Sequence, residues 1–285
     1  MNRLQVIPPA LFAILAAAWL AGLFLSHPPA SCASSTAEAA PAADISADET
    51  VPSPAEVDFA PLRLRVRTAD ASPIPARTLA LLRIAMRAAL DAVPADAPAT
   101  LSVELRPPPG FFERLFSPRR ADALAYQQDD EIVIRADPAT PPILLSNRAA
   151  HEMDHWLLRR ACAGRRPPLW LDEGHAVLVG RAAAATAARN LRQKLLPEPP
   201  LPSAPRYTLD QLLAIDAYPS APDAAAVFYA QSRTLVENLI SRHGRPAFLE
   251  LARDLAAPSA PALPDLLRTR YYATPDDLAR LLPDS

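Results

Sequence analysis

Cysteine is almost absent from this 285-residue chain: Cys32 and Cys162 are its only two. That count excludes a disulfide framework. Cys32 falls in what reads as a flexible tail, and a bond to Cys162 would have to order that tail, so no disulfide is expected. Glycine is scarce as well, six residues against 34 prolines, and aromatic residues make up 6%. An excess of one charge is also missing. The formal net charge of −2 argues against nucleic acid or an anionic lipid surface as an electrostatic partner. No internal repeat is found. What is present is a chain half apolar in composition, long enough for one large domain or two small lobes with a real core.

The first 25 residues read as a signal peptide or signal anchor. "MNRLQ" carries one arginine, and Val6 to Leu25 then runs uncharged for twenty residues. As a helix that run spans roughly 30 Å, the thickness of a bilayer core. A cleaved signal has a shorter apolar region, about 7–15 residues, and Pro8 and Pro9 shorten the effective helix toward that length. "PPASCASS" offers small residues for cleavage. It is also close to a lipoprotein acylation site at Cys32, with Pro29 where leucine is usual. All three readings export the rest of the chain. Arg3 precedes the span and no Lys or Arg follows until Arg63, which puts the amino terminus in the cytoplasm. The expected location is periplasmic or otherwise extracytoplasmic, with residues 6–25 as the membrane tether.

Residues 26–56 are Ala, Pro, Ser and Thr with scattered acids, too small and aperiodic to offset ordering entropy, and read as a disordered tether. Residues 57–142 carry strand and helix patterns. In "PLRLRVRTAD", Leu62, Leu64 and Val66 alternate with three arginines, the signature of a half-buried strand. "IPARTLALLRIAMRAALDAV" has helical spacing and "ATLSVELRP" is a second strand. "ADALAYQQDDEIVIRAD" reads as two strands, with Glu131, Val133 and Arg135 facing opposite to Ile132 and Ile134.

From 143 to 285 the pattern is helical. Leu144 to Arg160 is one helix, broken by "ACAGRRPP", and a second runs from about Leu171 to Leu196. "TLDQLLAI", "AAAVFYAQSRTLVENLISRHG" and "RPAFLELARDL" follow. The fold class is therefore α+β: a small sheet lobe, then a mainly helical lobe, with the helix of "HEMDH" at the junction.

That motif carries the chemistry. On a helix, His151 and His155 project from one face a turn apart and can reach one ion. Glu152 lies one step around, where it can touch a water on the ion without being a ligand. This is the zinc-protease pattern H-E-x-x-H. Ala149, Ala150, Met153, Trp156 and Leu157 form the opposite, packing face. Two histidines four apart on an amphipathic helix need have no function, and it is the downstream sequence that alters the reading. A catalytic zinc site needs a third protein ligand and an open position. "LWLDEGHAVLVG" starts a returning helix that can bring Glu173 opposite the histidine face, and two His with one Glu is a catalytic ligand set.

On His151, Glu152 and His155, then "PLWLDEGHA" with Glu173, the chain resembles the gluzincin metallopeptidases. Within them it is most similar to the peptidase-MA-like proteins and the aminopeptidase N group. "FYAQSRTLVENLISRHGRPAFLELARDL" resembles the segment in which that group keeps a catalytic tyrosine, a place that Tyr229 takes here. The resemblance covers about Ala121 to Leu255. It implies a thermolysin-like fold, a Zn²⁺ cofactor and hydrolysis of a peptide or protein substrate, with Glu152 as general base on zinc-bound water and Tyr229 stabilising the oxyanion. The glycine-rich acidic exopeptidase motif of the aminopeptidases is absent, which favours endopeptidase action. His175 replaces the aromatic residue usual after "EG". "HEMDH" also echoes the peptide deformylases, but their upstream cysteine motif is missing.

Other residues carry less. His175, roughly 200° around a helix from Glu173, should point away from the ion. His243 before Gly244 reads as a helix end. Asp154 either orients a ligand or is solvated, while Trp156 and Trp170 read as core. The arginines at 159, 160, 165 and 166 read as solvating a helix end and turn. "DEIVIRA" is a candidate sheet edge for pairing with an extended substrate. Two other functions stay open: a non-catalytic envelope binding or assembly protein on the same scaffold, and zinc hydrolysis of a non-peptide bond. Oligomeric state is not readable.

Overall fold

The strand read at Leu62 anchors a five-stranded sheet. The computed structural model describes residues 49–107, 125–128, 131–135, 140–195, 200, 202, 204–261, 263–271 and 277. The strands are β1 (Thr50–Val51), β2 (Ala55–Phe59), β3 (Leu62–Thr68), β4 (Ile74–Pro75), β5 (Ala99–Arg106), β6 (Ala125–Gln128) and β7 (Glu131–Arg135). The large sheet has the order β2-β3-β5-β7-β6, and β1 pairs with β4 apart from it. β3, β5 and β7 run parallel. β2 and β6 close the two edges antiparallel.

Helix α1 (Ala76–Ala92) is the crossover that parallel neighbours β3 and β5 require. Its Leu79, Leu82, Met86 and Ala89 recur at helical spacing and are buried in the same core as Leu64, Val66, Leu101, Val103, Ile132 and Ile134. The other sheet face carries charge. Arg67 grips Glu131 through two nitrogens, each 3.0 Å from a carboxylate oxygen, and Arg106 donates to Glu104 at 2.7 Å.

The remaining helices are α2 (Pro142–Ala161), α3 (Leu169–Asn190), α4 (Leu209–Leu213), α5 (Pro222–His243), α6 (Arg245–Leu255) and α7 (Leu263–Tyr271). α2 lies against α1 and α3, α3 against α5, and α6 against α5 and α7. A single apolar cluster runs from Ala55 to Leu267 through sheet and helices alike, so the two halves share one interior. The order of a small mixed sheet followed by helices is the one expected.

Four details differ from the sequence reading. β7, which holds "DEIVIRA", is not an edge: it bonds β5 on one side and β6 on the other, and β6 takes the outer place. Neighbour order depends on long-range pairing, which alternation within one strand does not encode. Strand β1 and the start of β2 fall inside the stretch assigned to the tether. Ala55, Val57 and Phe59 do alternate inward, but the run is short and follows two prolines. α7, at Leu263–Tyr271, was not anticipated. Finally, α3 ends at Asn190 rather than near Leu196. Arg192 turns left-handed (φ 53°), and Gln193 N–H reaches back to Ala188 O at 2.9 Å. An arginine fills the place glycine usually marks, so the stop carries no sequence sign. Gly244 (φ 81°) does end α5 as expected.

The apolar run Val6–Leu25, most of the tether and Cys32 lie outside the described residues. Among the described residues, no helix is long and apolar enough to cross a membrane.

Candidate metal centre

α2 and α3 form an antiparallel pair: His155 stands level with Asp172, and Asn147, two turns earlier, stands level with Gly180. Gly180 permits this approach, since a Cβ there would lie 2.9 Å from Asn147 O. On the other side of α3, a Cβ on Gly174 would collide with the Ser232 carbonyl and lie 2.8 Å from Val236 Cγ2 of α5. Glu173, between Asp172 and Gly174, is thereby carried into the interior at 1% exposure.

The two histidines are more enclosed than an offered helix face implies. His151 and His155 are each 9% exposed, and Asn147 and Asp154 beside them are 0% exposed. α2 is covered on nearly every side because α1, α3 and the sheet surround it, which one helix's own pattern does not reveal. His151 Nε2 lies 3.1 Å from His155 Nε2 and 3.4 Å from Glu173 Oε2. His155 Nε2 lies 3.6 Å from Glu173 Oε1. These three residues form a group able to hold a metal ion. Ligand atoms about 2.05 Å from a tetrahedral zinc sit about 3.3 Å apart, so the observed separations fit. Glu173 Oε2 is buried without a hydrogen-bond partner, a cost that a cation would remove.

Three residues that the sequence reading did not place here complete the surroundings. Asp172 Oδ1 is 2.8 Å from His155 Nδ1. With that nitrogen donating, His155 Nε2 is the ring atom turned toward Glu173 and His151. Arg166 donates to Asp172 Oδ2 at 2.6 Å and to Glu173 Oε1 at 3.2 Å, so it does not simply solvate the turn. Tyr218 donates to Glu173 Oε1 and accepts from Arg166 at 2.8 Å. Asp172 was legible in principle as the acid next to the expected ligand. Arg166 and Tyr218 come from loops, where no periodicity announces a role.

The charges in this cluster hold one another in place. Burial alone would raise the Glu173 carboxyl, but the adjacent His155 and His151 hold it well below the usual carboxylate range. Burial would likewise depress His155, and Asp172 with Glu173 outweighs it and lifts the imidazole well above its ordinary value. Asp172 is lowered overall, against its own burial, by His155 and Arg166.

Against known proteins, the chain matches no family model and no curated sequence. What can be said of the centre therefore rests on its own residues. Tyr229 lies on α5 with its ring 6.5 Å from that of Tyr218. Its phenol is pushed well above its ordinary value, first by burial and then by the charges of Glu173 and Glu152, so it stays protonated and able to donate. The hydroxyl bonded to Glu173 is nonetheless that of Tyr218, not Tyr229. Glu152 is partly exposed, and the half-buried Arg148 one turn before it feels its charge.

His175 points away from the metal group as expected. Its Nδ1 lies 2.8 Å from Asp154 Oδ2, and its ring stacks on Phe248 at 4.8 Å. Asp154 thus neither orients His151 nor meets solvent. Trp156 and Trp170 are core, at 4% and 2% exposure.

Proposed function

We propose that this protein is a zinc-dependent peptidase of gluzincin type on a thermolysin-like scaffold, exported and held at the membrane by residues 6–25. The observation that carries the reading is the convergence of His151 Nε2, His155 Nε2 and the Glu173 carboxylate at tetrahedral ligand spacing. His151, His155 and Glu173 would hold Zn²⁺, which when bound acts as a Lewis acid toward a peptide carbonyl.

The chain's own groups supply the rest. Asp172 fixes the His155 ring so that its Nε2 faces Glu173, and Arg166 holds Asp172 in turn. Glu152, beside His151 and partly open to solvent, takes a proton from the attacking water and returns it to the leaving amine. Tyr229, protonated at neutral pH, donates to the oxygen on which negative charge develops. The missing exopeptidase motif favours cleavage within a chain rather than at its amino end.

The alternative is a non-catalytic envelope binding or assembly protein. One observation favours it: Tyr218 and Arg166 already satisfy Glu173 Oε1 without a cation. Metal analysis of the purified chain beside Glu173→Ala separates the two. The peptidase reading expects about one zinc per chain, lost in the variant, and cleavage of a denatured protein substrate that Glu152→Gln abolishes. Zinc-free protein after incubation with zinc, or cleavage indifferent to Glu152→Gln, would favour the binding protein. Turnover unchanged in Tyr229→Phe would remove that residue's role.

A further inference from the structure

Away from the histidines, a cavity of about 410 Å³ opens where the carboxyl ends of β3 and β5 meet the amino ends of α1 and α2. Pockets of about 300–1,000 Å³ accommodate small molecules, and the carboxyl ends of parallel strands are where open α/β sheets place ligands. Leu145, on the cavity wall, precedes His151 by six positions, about 9 Å of helical rise. The cavity is therefore separate from the candidate metal group.

Its chemistry is two-sided. Leu81, Leu105 and Leu145 give an apolar wall, and Pro75 and Pro142 stiffen the two helix starts. Arg77 supplies the charge: its Nε is buried and meets no acceptor. The other arginine of the lining, Arg106, is bound to Glu104 at 2.7 Å and to Tyr126 at 3.3 Å. Neither α1 nor α2 has a side-chain cap or an acid in its first turn, so nothing in those turns offsets the partial positive charge of two long helices. Asp70, the acid of the lining, turns Oδ1 to the Ser72 N–H at 3.1 Å. Its charge disfavours a dianion nearby and leaves room for a single negative charge.

We propose that this cavity binds a small organic monocarboxylate, its carboxylate on Arg77 and its apolar body against Leu81, Leu105 and Leu145. The inference is independent of the peptidase reading and stands whether or not zinc binds.

The test is fluorine NMR titration of the full chain, stripped of metal, with para-fluorophenylacetate, the neutral para-fluorophenylethanol and para-fluorophenyl phosphate. Saturable binding of the acid at one site is expected, with a dissociation constant below about 1 mM. The alcohol and the phosphate should bind about tenfold more weakly or worse. Arg77→Gln should bring the acid down to the level of the alcohol while Glu173→Ala leaves it unchanged. Arg77 Nε has no partner to lose, so this variant keeps its fold. Absence of saturable binding, equal affinity for acid and alcohol, tighter binding of the phosphate, or an Arg77→Gln variant that holds the acid as well as the parent would each overturn the proposal.

Discussion

Asp154 and His175 meet in the interior, Oδ2 to Nδ1 at 2.8 Å, with exposures of 0% and 1%. One belongs to the helix that carries both histidines of the metal group, the other to the helix that carries its glutamate. The contact therefore ties the two ligand-bearing helices together. Phe248 of α6, stacked on His175, extends the tie to a third helix.

Removing one partner strands the other without a hydrogen bond inside the protein. Asp154→Ala should destabilise the fold by about 3 kcal/mol, and Asp154→Asn, which keeps an acceptor, by less. Urea unfolding midpoints at one pH decide this. A shift of only a few tenths for Asp154→Ala would show that the pair contributes little.

Asp172 acts on a different atom. Asp172→Asn leaves the side-chain shape but weakens the hold on His155 Nδ1. Zinc affinity, measured by competition with a chromophoric chelator, should fall about 10–100-fold. Unchanged affinity would mean that packing alone orients the ring.

Gly174 leaves no room for a methyl group between α3 and the Ser232 carbonyl. Gly174→Ala must push α3 away from α5, at a cost of about 1–3 kcal/mol. Because Glu173 is the adjacent residue, zinc stoichiometry should fall with thermal stability. A stable variant with full zinc content would show that the two helices can separate without disturbing the ligand.

Cys162 gives a prediction in pH. Burial, reinforced by Asp172, pushes its thiol from 9.0 to about 11. The neutral thiol is favoured in the folded state, so its contribution is fully present below pH 9 and is lost as pH rises through 11. That loss is up to about 2–3 kcal/mol. Stability measured from pH 8 to pH 11 should fall more steeply for the parent than for Cys162→Ala, and parallel curves would refute the assignment.

What was legible in the sequence follows from the range of each interaction. His151, His155 and Glu173 were readable because helical periodicity and one short turn place them. Leu62, Leu64 and Val66 were readable because a strand's two faces alternate within the strand itself. Strand order was not, since β6 and β7 compete for the outer place only once β5 is beside them. Arg166 and Tyr218 were missed because they reach Glu173 from segments seven residues before it and 45 after it, without a repeating pattern in either. Burial of the histidines was underestimated because it comes from neighbours of α2 rather than from α2.

The three metal-group residues lie within 23 consecutive positions, His151 to Glu173, joined by one seven-residue turn. Closing so short a loop costs little chain entropy, and contacts local in sequence form quickly. The sheet is the opposite case: β3 finds β5 only across the whole of α1, and β5 finds β7 only across residues 107–130. The helical hairpin is therefore the segment best able to assemble first during folding, presenting its ligands before the strands have found their neighbours.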